Sequence, residues 1–203
     1  MVQIQAADQR LLSAISDAMA EAARRSGDWL VCKPGCTQCC LGPFAITPLD
    51  AMRLGRGLAQ LERDDPARAE AIRMRAAEYV RATSSIYPGN PATGELLDEG
   101  ALPDAMDELP CPALDPDTGL CDLYSSRPIT CRTFGPVTRV ENDAFAACEL
   151  CYSGASEAEM AACAVEVDPD GLESELLAGL GEEGARGKTI VAYALARGFP
   201  ISQ

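Results

Sequence analysis

Apolar residues near the start of the chain recur every three or four positions, which places them on one face of an α-helix. Leu11, Ile15 and Ala22 lie on that face, and Gly27 follows at a position where such a helix ends. Arg25 suits the last turn because a cation stabilises the negative end of the helix dipole. We therefore predict a first helix that ends close to Gly27.

Two further helices are predicted from residues that cap a helix at its first turn. Thr47 and Asp65 each precede a proline, and proline is favoured at the first helical position. Leu49 and Leu58 then form an apolar stripe after the first of these prolines, and Ile72 lies on a similar stripe after the second. Each helix is predicted to begin at its proline.

The C-terminal part of the chain carries the same kind of signal. Ser156 and Glu159 have the spacing of a capping box, in which each side chain satisfies the other residue's backbone N–H. Asp168, which is followed by proline, predicts the start of another helix that extends to Leu180. A last helix is predicted over residues 190–195.

The middle of the chain lacks long helical periodicity. Several prolines interrupt residues 83–110, where we predict a long loop that is functional, disordered or a lid, with a short helix near Asp104. Residues 111–124 and 137–145 each predict a small β-hairpin, and residues 127–132 suit one or two helical turns. This region therefore contributes only short elements.

Acidic residues outnumber basic ones, since 31 Asp and Glu against 17 Lys and Arg give a net charge of −14. Such a surface repels phosphate backbones and anionic lipids, so we expect neither nucleic-acid nor membrane-surface binding. The N-terminus lacks a secretory signal, and no apolar run reaches the roughly 18 residues of a membrane span. We therefore expect a cytoplasmic protein, with its protein partners and oligomeric state left open.

Ten cysteines and no histidine are the unusual features of the composition. Without histidine the chain has no Ser-His-Asp triad, no Cys-His nucleophile pair and no imidazole metal ligand. Thiols stay reduced in an intracellular compartment unless a metal binds them, whereas an exported protein would form disulfides. The cytoplasmic expectation therefore favours metal ligation, with disulfides as the alternative.

The first cysteine group places four thiols within nine residues: Cys32, Cys36, Cys39 and Cys40. Such short gaps let neighbouring thiols converge on a single metal ion or on one edge of a cluster. Adjacent side chains diverge in an extended backbone, so Cys39 and Cys40 are not expected to bind the same mononuclear metal. The pair suggests two adjacent metals or clusters, or one ligand beside a packed thiol.

The second cysteine group is more widely spaced, with Cys111, Cys121 and Cys131 each ten residues apart, followed by Cys148 and Cys151. Scattered cysteines also occur as small buried apolar residues. A dense group together with a Cys-x2-Cys pair nevertheless favours a metal site. Zinc and iron–sulfur clusters are both bound by four thiolates, so both stay open.

Cations are expected near such a site. A zinc ion bound by four thiolates carries a formal charge of about −2, which nearby positive groups compensate. Lys33, Arg127 and Arg132 lie within the cysteine segments and are the candidates for this role.

Three blocks of the sequence carry a resemblance to a known family: Cys32-x3-Cys36-x2-Cys39-Cys40, Cys111-Pro-x-Leu, and Gly119-x-Cys121-x2-Tyr124-x2-Arg127-Pro128-x2-Cys131-Arg132. Together they resemble the CxxCxxCC family, the YkgJ-like cysteine-cluster proteins, which are zinc- or iron-chelating and often called iron–sulfur-cluster-containing. The first gap holds three residues where the family name has two. The resemblance implies that the metal ligands are Cys32, Cys36, Cys39, Cys40, Cys111, Cys121 and Cys131, together with Cys148 or Cys151.

The expected function is therefore metal binding, with one or two all-cysteine zinc or iron–sulfur centres that folding requires. Cys163 lies beyond the resembling blocks in a predicted helix and is expected to be a core thiol rather than an auxiliary ligand. A flagellin lysine methylase carries a similar cluster region. One alternative is therefore a cluster-dependent enzyme, either an oxidoreductase or a protein-modifying enzyme. The other is a zinc-stabilised interaction module for a basic partner.

The predicted fold class is mainly α: a single helical domain with small β-hairpins and a cysteine-rich metal-binding centre. One domain is expected over residues 1–203, because domains usually have roughly 150 residues. Within it, we place the cysteine-cluster metal-binding core at residues 30–151 and a C-terminal helical extension at residues 152–203.

Overall fold

The structure is a computed structural model, and it describes residues 2–97, 102–140, 144–182, 184–185 and 187–198. The helices are α1 (Val2–Ser26), α2 (Pro48–Asp64), α3 (Pro66–Thr83), α4 (Ile129–Thr133), α5 (Glu157–Cys163), α6 (Leu172–Glu182) and α7 (Val191–Arg197), and the strands are β1 (Thr138–Arg139) and β2 (Phe145–Ala146). The mainly α fold class with a small hairpin is confirmed. Within these residues, no helix combines the length and the apolar character that crossing a bilayer requires.

The chain divides into two compact units, each made of segments that are distant in sequence. The first unit comprises residues 1–34 and 129–176, and the second comprises residues 35–128 and 177–203. The single domain predicted over the whole chain stays a prediction.

In the first unit, α1 packs against α4 and α5. Leu11, Ile15 and Ala22 are buried, which confirms the apolar face predicted for this helix. Strands β1 and β2 pair antiparallel, with Thr138 opposite Ala146, as expected for the second hairpin. The predicted turn at residues 141–143 lies outside the described residues.

In the second unit, α2, α3 and α7 pack against one another. Their shared core contains Leu54, Ile72 and Leu195. Thr47 caps α2 as predicted, because its side chain accepts a hydrogen bond from the Asp50 backbone N–H and the Asp50 carboxylate accepts one from the Thr47 backbone.

The segment at residues 83–110 is packed over its described part rather than disordered. Tyr87, Leu96 and Met106 are buried in a cluster with Tyr193 of α7. The short helix predicted near Asp104 is present as a 3₁₀ turn. This segment therefore helps to form the core of the second unit.

Helix α6 begins later than the sequence predicts. The predicted start was Asp168, but the first helical residue is Leu172. Asp168 still accepts hydrogen bonds from the backbone N–H groups of Leu172 and Glu173. Gly171 has a φ of +69°, so a turn separates the capping carboxylate from the helix that it caps.

Candidate metal centre

Cys39 and Cys40 lie in a tight turn of the second unit. Residues Gln38–Cys40 form a 3₁₀ turn, which the Cys40 backbone N–H closes onto the Thr37 carbonyl at 2.8 Å. The Cys40 thiol donates a hydrogen bond to the Cys39 sulfur. The expectation that the two side chains diverge is therefore wrong, because it assumed an extended backbone and the backbone here is turned.

Cys111 is brought to this turn by backbone pairing. Its N–H donates to the Cys40 carbonyl at 2.7 Å. Leu41 and Pro110 form an antiparallel bridge beside it, and the Gly42 N–H donates to the Leu109 carbonyl at 3.0 Å. Two segments about 70 residues apart in sequence thus meet at the cysteines.

Cys121 comes back to Cys111 through a turn. Leu114 and Cys121 form an antiparallel bridge, and the Gly119 N–H donates to the Asp115 carbonyl at 2.9 Å. Gly119 has a φ of +67°, a conformation that favours glycine. The hairpin predicted over residues 111–124 is present as this turn, with an isolated bridge in place of two regular strands.

Backbone N–H groups point at two of these sulfurs. The N–H groups of Ala113 and Leu114 donate to the Cys111 sulfur, and the N–H of Leu123 donates to the Cys121 sulfur. Ala113 and Leu123 are buried in the core formed by α2, α3 and α7. The core thus holds the donors in place, and such donors stabilise the thiolate form that a metal requires.

Four of the five thiols of the second unit differ in acidity. The hydrogen bond from Cys40 lowers the pKa of Cys39 to about 6, with further lowering by its own backbone N–H and by Arg127. The same hydrogen bond, followed by burial and the neighbouring sulfurs, raises the pKa of Cys40. Burial raises the pKa of Cys111 to about 11 and is also the main cause of the raised pKa of Cys121. One thiolate is therefore favoured near neutral pH before any metal binds.

Arg127 is the cation that the structure places at these sulfurs. Its charge lowers the pKa of both Cys39 and Cys121. The guanidinium lies 3.8 Å from the centre of the Tyr124 ring, which holds it by a cation–π contact. The compensating roles expected of Lys33 and Arg132 stay predictions.

The first unit contains a separate set of cysteines. Cys148 accepts hydrogen bonds at its sulfur from the Leu150 and Cys151 N–H groups, and the Cys148 and Cys151 thiols share a further hydrogen bond. Burial raises the pKa of Cys148. Cys32 packs beside Gly135, whose carbonyl accepts the Cys148 N–H.

Two other cysteines of the first unit occupy helices. Cys163 ends α5, is buried with Cys148 and Cys151, and donates its thiol hydrogen to the Arg25 carbonyl at 3.3 Å. Cys131 lies in α4.

In the second unit, Cys36 is half-buried and precedes the turn that carries Cys39. The structure thus brings the segments of Cys39, Cys40, Cys111 and Cys121 together, and the ligand roles of all the predicted cysteines stay predictions.

The donor set fits a metal that prefers sulfur. Across the described parts of the chain, no three Cys, Asp or Glu side chains are already arranged as a metal-binding group. The chemistry is nevertheless that of zinc or iron sites, with several thiols, N–H donors to sulfur and a neighbouring guanidinium. Ligand side chains would have to reorient and lose protons on binding, as expected where metal binding is coupled to folding.

Three charged residues beside the cysteines, Asp122, Arg68 and Arg75, were not predicted from the sequence. The Asp122 side chain, only 1% exposed, accepts hydrogen bonds from Arg68 at 2.5 Å and from Arg75 at 2.7 Å. Arg68 and Arg75 are seven residues apart in a predicted helix, so they share one face. That spacing, together with an aspartate directly after Cys121, is the signal that could have indicated the contact.

Residues 31–152, more than half of the chain, match the model of the CxxCxxCC family, described as "Putative zinc- or iron-chelating domain". No curated protein and no solved structure shows a significant match to the chain.

Proposed function

The chain belongs to the CxxCxxCC family of zinc- or iron-chelating domains, and we propose that its second unit binds a sulfur-ligated metal centre. The proposed ligands are Cys39, Cys40, Cys111 and Cys121. The observation that carries the proposal is the pairing of the segments that carry them. Cys111 pairs with Cys40, and the turn after Cys111 pairs with Cys121 through Leu114. Buried scattered thiols have no need of such an arrangement.

Further support comes from the groups around the sulfurs. Three N–H donors face Cys111 and Cys121, and Arg127 supplies positive charge. These contacts offset the negative charge that accumulates when several thiols ionise at one metal. Cys36 is proposed as a further ligand in the same loop.

The predicted ligands of the first unit are proposed to form a centre of their own. Cys148 and Cys151 are its best-supported members, because backbone N–H groups face the Cys148 sulfur and the two thiols are hydrogen-bonded. Cys32 and Cys131 complete the proposed set. Cys163 is assigned to the core, because its thiol is satisfied by the Arg25 carbonyl.

The decisive experiment is metal analysis of protein purified without oxygen. Zinc, iron and acid-labile sulfide are measured per chain, and the visible spectrum is recorded. Iron with matching sulfide identifies an iron–sulfur centre and makes redox or group-transfer chemistry testable. Zinc in colourless protein identifies a structural centre, whereas protein free of both metals contradicts the proposal.

Substitution of a ligand should remove metal and stability together. Cys111→Ser is expected to lower the metal content and the free energy of unfolding, since binding energy at such a site contributes to folding. Cys163→Ala is the matched control, because it removes a buried cysteine outside the proposed centres and should leave the metal content unchanged. Full metal content in Cys111→Ser would exclude Cys111 as a ligand.

A further inference from the structure

A buried carboxylate joins α3 to the turn that carries Cys121. Asp122 follows that cysteine, and its side chain is 1% exposed. Arg68 Nε donates to one carboxylate oxygen at 2.5 Å and Arg75 Nη2 to the other at 2.7 Å. Both arginines lie in α3, so this helix contacts the turn that carries Cys121 through two side chains.

Arg75 also holds the turn that carries Cys111. Its Nε donates to the Pro112 carbonyl at 2.8 Å, while its Nη2 is bonded to Asp122. The Asp122 backbone N–H donates to the Ala113 carbonyl, also at 2.8 Å. One guanidinium therefore ties together the residues that directly follow Cys111 and Cys121.

We propose that Arg68, Arg75 and Asp122, here called the α3 clamp, position Cys111 and Cys121 as metal ligands. The proposal rests on the proposed function of the second unit. A planar guanidinium fixes two acceptors in a set geometry, which an ammonium group on a flexible chain does not. Because α3 carries both arginines of the clamp, the two turns are held at a defined distance from each other.

The α3 clamp also contributes charge near the proposed centre. Asp122 alone would add a negative charge beside Cys121, where further thiolates would form on metal binding. Two guanidinium groups pair with this one carboxylate, so the clamp as a whole carries one net positive charge. A positive group beside a thiolate-bound metal compensates its formal charge.

The test measures Zn²⁺ affinity of the full-length chain by competition with a chromophoric chelator, under reducing conditions without oxygen. Arg75→Lys keeps the charge but loses the fork, and it is expected to weaken Zn²⁺ binding by about 10- to 100-fold. Asp122→Asn is expected to act in the same direction. Arg73→Lys is the matched control, because Arg73 lies in the same helix and pairs with the exposed Glu62 instead.

Two further measurements separate positioning from general stability. Unfolding of the metal-free variants shows how much the fold itself has lost, and the visible spectrum of the Co²⁺-substituted protein reports the geometry at sulfur. The proposal expects altered Co²⁺ spectra, with affinity losses larger than the loss of metal-free stability. If Arg75→Lys does not fold, the same measurements on Asp122→Asn test the proposal.

The outcomes separate the clamp from the proposed function. If both clamp variants bind Zn²⁺ like the wild type, the α3 clamp is overturned while the metal centre stands. If affinity falls only as far as metal-free stability accounts for, the clamp is structural and the proposal is likewise overturned. Wild-type protein that binds no Zn²⁺ and contains no iron overturns both.

Discussion

At the scale of single residues, the most informative pair is Cys39 and Cys40. Their shared hydrogen bond places one proton between two sulfurs and gives the two thiols opposite acidities. A metal that binds both must displace that remaining proton, so binding is expected to weaken as the pH falls. The two thiols are therefore expected to lose their protons one after the other, Cys39 at a lower pH than Cys40.

The acidity of Cys39 predicts its reactivity in metal-free, reduced protein. A thiolate is the nucleophile, so alkylation of Cys39 by iodoacetamide should rise through about pH 6 and be nearly constant at neutral pH. Alkylation of Cys111, whose pKa is raised to about 11, should keep rising well above neutral pH. Mass spectrometry of peptides after timed alkylation measures both profiles.

A variant of the donor is the control for this prediction. Cys40→Ala removes the hydrogen bond to the Cys39 sulfur, so the midpoint for Cys39 should move up towards the ordinary value of about 8.5. A wild-type Cys39 that reacts only near that ordinary value would contradict the hydrogen bond described here.

The identity of the candidate metal ligands could be predicted from the sequence more easily than the orientation of their side chains. The cysteine types and spacings indicated sulfur ligands, but the relation of Cys39 to Cys40 depended on backbone angles that spacing does not determine. Asp122 and Arg75 were overlooked for a similar reason, because their contact joins residues 47 positions apart. Such pairings become visible only once the helix and the turn are placed in space.

At the scale of elements, helix caps were the most predictable features. The capping signals at Thr47, Asp65 and Ser156 are all used, because a cap is formed by residues that are neighbours in sequence. The predicted start of α6 was wrong, because a turn separates the capping residue Asp168 from the first residue of the helix. Local chemistry thus predicts helix starts unless a turn separates cap and helix.

Loss of the α2 cap has a predictable cost. Thr47→Ala removes the acceptor of the Asp50 N–H and a hydroxyl that donates to the Asp50 carboxylate at 3.2 Å. We expect the free energy of unfolding to fall by about 1 kcal/mol, measured by urea denaturation with the metal content held constant. Thr47→Ser should retain most of this stability because it keeps the hydroxyl.

A second hydroxyl provides the control for the cap. Ser84 is exposed at the end of α3, where its side chain donates to the Arg81 carbonyl at 3.2 Å. Ser84→Ala should change stability by no more than about 0.5 kcal/mol. Equal losses in Thr47→Ala and Ser84→Ala would show that the capping box contributes nothing special.

At the scale of the whole molecule, the mainly α fold class could be predicted from the sequence, but the division of the chain into two compact units could not. Helical periodicity and prolines indicated a mainly α chain. The two compact units are each made of segments distant in sequence, which no local pattern encodes. The net charge of −14 is a property of the whole chain, and the absence of nucleic-acid binding expected from it stays a prediction.

Removal of the proposed metal should destabilise the cysteine turns of the second unit more than its helices. Its core contains Leu54, Ile72 and Leu195 on α2, α3 and α7, and burial of these apolar side chains does not require a metal. The cysteine turns instead consist of loops and isolated bridges without regular helices or strands, and they contact this core through Ala113 and Leu123. We therefore expect a chelator to loosen the turns while the helices persist.

Limited proteolysis with proteinase K measures this difference, with circular dichroism to follow the helices. After chelation under reducing conditions, cleavage should increase within residues 36–45 and 109–124, while α2, α3 and α7 stay protected. Added Zn²⁺ should restore protection and Mg²⁺ should not, because Mg²⁺ prefers oxygen ligands. Equal cleavage of turns and helices would show that the metal stabilises the whole unit, and unchanged cleavage would show that the turns are stable without it. The uneven outcome is the one expected if the cysteine turns depend on the metal and the helices do not.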